Sequence, residues 1–215
     1  MKLSYTNERK DRTDCIRKLL NALYPKIQSP LYYTHDYEFL FAVILSAQTT
    51  DKQVNKVTET LCKKYPSLQS IADASVPSFQ QDISSINLYK TKAKHIVQSA
   101  QIIIKNFKGK VPRTLAKLIT LPGVGRKSAN VVMSELWHMP EGIAVDTHVM
   151  RLSQKLGLTN QKDPVKIEQD LMQIVPKDKW YLFSLLLILH GREICTARPH
   201  TCENCPLQDL CPDKK

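Results

Sequence analysis

Long apolar runs, glycine, acidic charge and the period-two alternation of half-buried strands are all scarce in this 215-residue chain. The longest apolar stretch, Tyr181 to Leu189, is broken by Ser184 and falls short of the roughly 20 residues that cross a bilayer, which excludes a membrane span. The opening residues, MKLSYTNERKDRTD, are charged throughout and lack the apolar segment of a secretory signal. An intracellular, reducing setting is therefore expected, the cytoplasm or nucleoid if the source is bacterial. Six glycines and no sustained alternation leave little room for sheets, and apolar residues recur instead at spacings of three and four. The fold is predicted to be all-α. Against 31 Lys+Arg stand only 20 Asp+Glu, a formal balance of +11 that favours a polyanionic partner. A 42% apolar content is enough for a sizeable core and excludes disorder.

The apolar spacing places the helices. Cys15, Ile16, Leu19, Leu20 and Leu23 form one face, and Phe39 to Leu45 are apolar on all sides, as in an enclosed central helix. Val54, Val57 and Leu61 follow. A long stripe of Ala93, Ile96, Val97, Ala100, Ile103, Ile104 and Phe107 ends at the stop signals Gly109 and Pro112. Thr114 can cap a helix carrying Leu115, Leu118 and Ile119, and the Pro122-Gly123-Val124-Gly125 turn leads into another from about Arg126 to Trp137, a helix-hairpin-helix pattern. Asp146 can cap a helix bearing Val149, Leu152 and Leu156 with Gly157 as its stop, and Asp163-Pro164 opens one with Ile167, Leu171 and Ile174 inward. Asp178 is placed at the start of the last long helix. The isolated Cys15 and Cys62 are expected to pack in the interior.

Four of the six cysteines crowd the C-terminal segment as Cys195, Cys202, Cys205 and Cys211, in the spacing C-x6-C-x2-C-x5-C. In a reducing cell such a cluster points to metal ligation before disulfides. Four thiolates suit a tetrahedral zinc or a cubane iron-sulfur cluster; a single short C-x2-C knuckle tilts the spacing toward iron-sulfur and leaves zinc open. With all four ligands from protein, the metal is a structural staple. Arg192, Arg198, His200, Lys214 and Lys215 surround this loop and could meet phosphates, or form a solvated charged face.

In Leu121-Pro122-Gly123-Val124-Gly125-Arg126-Lys127-Ser128-Ala129, the glycines allow a tight turn whose N–H groups point outward at a helix start, a seat for a phosphate. Such a seat, formed by Gly123, Val124, Gly125 and Arg126, grips a nucleic-acid backbone without reading its sequence. Lys127 follows in the first turn of the helix. A lysine at its ordinary pKa near 10.4 is neutral only about four times in ten thousand at pH 7, so a nucleophilic lysine needs the helix dipole, the neighbouring Arg126 and burial to assist it. Taken alone, a lysine after a turn is a surface charge. Asp146, in Ala144-Val145-Asp146-Thr147-His148-Val149, is a helix cap whose carboxylate could also stabilise positive charge developing on a sugar. His148 is read as a packed helix histidine.

These strings, together with Ser46-Ala47-Gln48-Thr49-Thr50-Asp51, resemble the endonuclease III family of DNA glycosylases in the helix-hairpin-helix superfamily over almost the whole chain. The resemblance implies two helical lobes with DNA across the cleft between them: a six-helix barrel with the hairpin over residues 29–139, and a cluster lobe from residues 1–28 plus 140–215. It implies a [4Fe-4S] cluster on the four cysteines, Lys127 as Schiff-base nucleophile and Asp146 as catalytic aspartate. Gln48 matches the residue that fills the space of an extruded nucleotide, and Leu88 the wedge entering the base stack; an interhelical contact and ordinary core packing are the plainer roles for these two. The family often has Gly-Leu-Tyr-Asn where this chain has Asn87-Leu88-Tyr89-Lys90, and Asn87 is expected to take the positive φ of that turn. The implied function is a bifunctional DNA glycosylase and AP lyase of base excision repair, a monomer acting on double-stranded DNA with damaged pyrimidines or abasic sites. A monofunctional glycosylase and a non-catalytic DNA-binding or redox-sensing module are the alternatives.

Overall fold

In a computed structural model the backbone is described for residues 2–213 and side chains for residues 7–213. Lys214 and Lys215, expected beside the cysteine loop, lie outside the described residues. All regular structure there is helical: α1 (Lys2–Leu23), α2 (Asp36–Leu45), α3 (Asp51–Lys64), α4 (Leu68–Ala72), α5 (Val76–Asp82), α6 (Tyr89–Phe107), α7 (Leu115–Leu118), α8 (Arg126–Trp137), α9 (Thr147–Lys155), α10 (Pro164–Ile174) and α11 (Trp180–Glu193), with short 3-10 turns at Lys177–Lys179 and Gln208–Leu210. Among the described residues no helix is long and apolar enough to cross a membrane. The chain divides into two compact units, Ser29–Met139, and Met1–Gln28 with Pro140–Lys215.

In Ser29–Met139, α2 is the centre. Phe39 through Leu45 are all buried, because α3, α6 and α8 pack around this helix. The Glu38 carboxylate accepts from the Thr34 and His35 N–H groups at 2.7 and 3.0 Å and closes its N-terminus. Ala93, Ile96, Val97, Ala100 and Ile103 of α6 are buried as the stripe predicts. That helix ends where Lys108 and Gly109 turn left-handed and the Gly109 N–H reaches the Ile103 carbonyl at 3.1 Å. α7 stops one residue before Ile119, which stays half exposed.

In the other unit, α1 packs on α10 and α11, and α9 packs on α10 and α11. The buried line of α1 runs through Thr13, Ile16 and Leu20, whereas Cys15, Leu19 and Leu23 are exposed. The predicted face is therefore turned: at 100° per residue the buried direction passes between Thr13, Ile16 and Leu20, and Thr13 tolerates burial because its hydroxyl donates to the Arg9 carbonyl at 2.7 Å. Cys62 is likewise exposed, at the edge of the buried face of α3, so neither isolated cysteine has the interior role expected of it. Asp178 does not open α11. It sits within the 3-10 turn Lys177–Lys179, paired with Lys179 at 2.9 Å, and α11 begins at Trp180, whose indole N–H donates to the Val175 carbonyl at 2.9 Å.

Candidate functional site

The hairpin turn is built by its own bonds. Leu121 and Val124 donate to Leu118 and Leu121 carbonyls at 3.0 and 3.1 Å, and the Ser99 hydroxyl of α6 holds the Pro122 carbonyl at 3.0 Å. Only Gly123 needs glycine's freedom: its φ is +81°, and a Cβ there would lie 2.9 Å from His95 Nδ1. Gly125 is extended at φ −90°, caps α8 with no side-chain bond, and has open space where a Cβ would stand. The first N–H groups of α8 therefore start beside an unobstructed surface, without a capping side chain to occupy them. Val124 is buried and anchors the turn, while Arg126 and Lys127 are exposed. The burial of Lys127 expected from sequence does not occur; its amine is open in the first turn of α8.

Gln48 and Leu88 stand on two loops of the same unit. Four non-glycine residues are left-handed among those described, and two of them, Lys108 and His138, are ordinary helix C-caps. The other two are Gln48 at φ 56° and Leu88 at φ 59°. Asn87 does not take the positive φ assigned to it; Leu88 does, directly before α6. The Asn87 side chain instead donates to the Gln48 carbonyl. Leu88 is 60% exposed, which removes the core role and leaves an apolar side chain in solvent beside an exposed glutamine. A broad open groove of about 890 Å³ on this unit, lined by Tyr32, Tyr33, Lys52, Asn55 and Lys63, includes Asp51 and Cys62 but none of Gln48, Leu88 or Lys127.

Asp146 belongs to the unit with Pro140–Lys215 and caps α9. Its Oδ1 accepts from the His148 and Val149 N–H groups at 2.9 and 2.8 Å, so one oxygen holds the helix while Oδ2 takes no such bond. The stretch before it is fixed by the buried Ser184 hydroxyl, which donates to the Ala144 carbonyl at 2.7 Å. His148 packs against Gly191 of α11, where a Cβ would lie 3.0 Å from its Nδ1, in keeping with a structural histidine.

Cys195, Cys202, Cys205 and Cys211 line one narrow cavity together with His190, His200 and Leu207. Arg151 Nη2 fixes its entrance by donating to the Gly191 and Cys195 carbonyls at 2.9 and 2.6 Å. Leu207, fully buried, pins the segment to the unit's core, and a Lys155–Asp213 ion pair of 3.0 Å closes its end. Among the described residues no three His, Cys, Asp or Glu side chains converge on a single metal ion. The donor set is nonetheless four soft thiols around one cavity, which fits a polynuclear group whose ligands stand apart better than one ion at bonding distance to all. Burial pushes the thiols of Cys195, Cys205 and Cys211 up, so ligation would release protons. His190, missed by the sequence reading, is buried with Nε2 3.6 Å from Cys205 Sγ and is pushed down to about 4 by burial, hence neutral at pH 7. Arg192 and Arg198 are exposed on either side of Cys195.

Comparisons with known proteins agree with this geometry. Residues 41–177 match the family described as HhH-GPD superfamily base excision DNA repair protein. The chain is 43% identical over 204 residues to "Endonuclease III" of Synechocystis sp., covering 95% of this chain and 93% of that protein. It is 43% identical over 198 residues to "Endonuclease III" of Bacillus subtilis, covering 92% and 90%. Among solved structures, that of a trapped endonuclease III–DNA covalent intermediate superimposes with a TM-score of 0.89 at 39% identity, covering 95% of this chain and 96% of that one. The chain belongs to the endonuclease III family of the HhH-GPD superfamily of base excision DNA repair proteins.

Proposed function

We propose that this protein is a bifunctional DNA glycosylase and AP lyase that removes oxidised pyrimidines from duplex DNA, with Lys127 as nucleophile and Asp146 as catalytic aspartate. Family membership makes it a base excision repair DNA glycosylase, and AP lyase activity is typical of that family. The observation that carries the residue assignment is the exposed amine of Lys127 in the first turn of α8, directly behind the open Gly123–Gly125 turn.

The hairpin N–H groups of Gly123, Gly125 and Arg126 hold a backbone phosphate, Val124 instead closing the turn through its own N–H bond to the Leu121 carbonyl, and Arg192 and Arg198 add cations for others. Lesions that pair weakly are cheaper to extrude, which gives part of the selectivity. Leu88 enters the stack and Gln48 occupies the vacated space. The Lys127 amine, after losing a proton to solvent, attacks C1′; the bond from C1′ to the base breaks, the base leaves with the electron pair and takes up a proton, and the C1′–O4′ bond then opens to leave an imine between Lys127 and C1′. The resulting imine acidifies the C2′ proton, whose removal expels the 3′ phosphate and nicks the strand. Asp146, at a helix start, stabilises positive charge at the sugar and offers Oδ2 for a proton. The four cysteines would hold a [4Fe-4S] cluster, which supplies a covalent staple for the C-terminal loop. The protein would act as a monomer inside the cell.

Incubation with a thymine-glycol duplex, with and without borohydride, tests the reading. Excision, nicking and a trapped protein–DNA adduct are expected together, and Lys127→Ala should abolish the adduct. Excision without nick or adduct would reduce the function to a monofunctional glycosylase.

A further inference from the structure

Lys92 is the strongest unexplained group in the molecule. It is a lysine only 4% exposed, one turn before Ile96 on the buried stripe of α6. Its Nζ donates to the Leu45 carbonyl at 2.8 Å, to the Ala47 carbonyl, and to Thr49 Oγ1 at 3.3 Å. An ammonium has three protons, and three acceptors meet it. All three come from the end of α2 and the short connection to α3, the connection that carries Gln48. The position also places a cation at the negative end of the central helix.

A second tie joins the same loop from the other side, through the Asn87 amide donating to the Gln48 carbonyl. A third, between Gln53 Nε2 and Ser85 Oγ at 2.7 Å, joins the start of α3 to the turn before Leu88. The two residues held between these ties, Gln48 and Leu88, are the two left-handed non-glycine residues that no helix C-cap accounts for. Left-handed backbone at such residues is costly and persists only where its surroundings over-determine it. A glycine at position 87 could not form the Asn87 bond.

We propose that Asn87 and Lys92 are positioning residues that lock the Gln48 loop and the Leu88 turn into one preformed wedge, so that opening the duplex does not also require ordering the protein. The inference rests on the proposed function. It concerns entry into a duplex, a step that a single-stranded abasic site does not need.

The test compares lyase rates on an abasic site in duplex and in single-stranded DNA for the full chain and for Lys92→Met and Asn87→Ala. Lys92→Met keeps the buried stem and removes the donors; Asn87→Ala changes an exposed loop residue. The ratio of duplex to single-strand rate is expected to fall about tenfold in Lys92→Met and about threefold in Asn87→Ala, the range that one or two hydrogen bonds control. An unchanged ratio in both variants, or equal losses on both substrates, would overturn the proposal. Should Lys92→Met fail to fold by circular dichroism, the Asn87→Ala ratio alone decides. If the unaltered protein lacks lyase activity on both substrates, the proposed function itself is wrong and this inference falls with it.

Discussion

At Asp146 the cap and the proposed chemistry draw on different oxygens: Oδ1 carries both cap bonds, and Oδ2 takes neither. Asp146→Asn keeps an oxygen for the cap, so its melting curve should shift by no more than about 1 kcal/mol, the usual value of a whole N-cap. Single-turnover excision by the same variant should fall on the order of 10²-fold or more, the scale of a lost acid–base or charge-stabilising group. Near-normal turnover would remove this carboxylate from the mechanism. The helix starts that carry Lys127 and Asp146 were legible in the sequence because each stands at a local start signal in a distinctive string. Lys92 was not, although a trace existed: a lysine at the 92, 96, 99, 103 spacing breaks an otherwise buried stripe. Only the fold supplied the carbonyls that make such a break tolerable.

Helices legible at the level of pattern differ in how closely they pack. α2 reads as apolar on all sides and is buried on all sides, with Phe39 at 0% exposure. Phe39→Ala should therefore cost about 3–5 kcal/mol in urea unfolding, as a cavity at the centre of three neighbouring helices. The α9–α11 contact was not legible. Gly191 lies in the last turn of α11 with a φ that any residue adopts, and its need for glycine comes from the neighbour: a Cβ would meet His148 Nδ1 at 3.0 Å and Arg151 Nη2 at 3.1 Å. Gly191→Ala should destabilise by about 1–3 kcal/mol through overpacking, despite alanine's better helix propensity. A gain in stability on equilibrium unfolding would show that the two helices separate freely. In α1 the pattern misled, since apolar residues at Cys15, Leu19 and Leu23 lie just off the buried direction that Thr13, Ile16 and Leu20 define.

Over the whole molecule, two separate hydrophobic cores and a net charge of +11 set the expected behaviour. If the four cysteines hold the proposed cluster, stripping it with oxidant and chelator should raise amide exchange in residues 190–213 and in the core that Leu207 anchors, while α2 and α6 keep their protection; uniform loss of protection would contradict separate cores. Duplex binding should weaken steeply with salt, and Arg198→Ala should reduce the slope of log affinity against log salt by about 0.9 if this arginine meets one phosphate. An unchanged slope would return Arg198 to the solvated charged face.

Helical class, the hairpin, the cysteine spacing and the helix starts at Thr114, Asp146 and Asp163 were determined by the sequence alone, because each depends on residues within one or two turns of one another. Tertiary structure decided which edge of α1 is buried, that Leu88 and not Asn87 turns left-handed, that four cysteines share a cavity with His190, and that Lys92 is satisfied in the interior. Each of these depends on a carbonyl, a side chain or a wall contributed by a residue far along the chain, and local pattern carries no record of that partner.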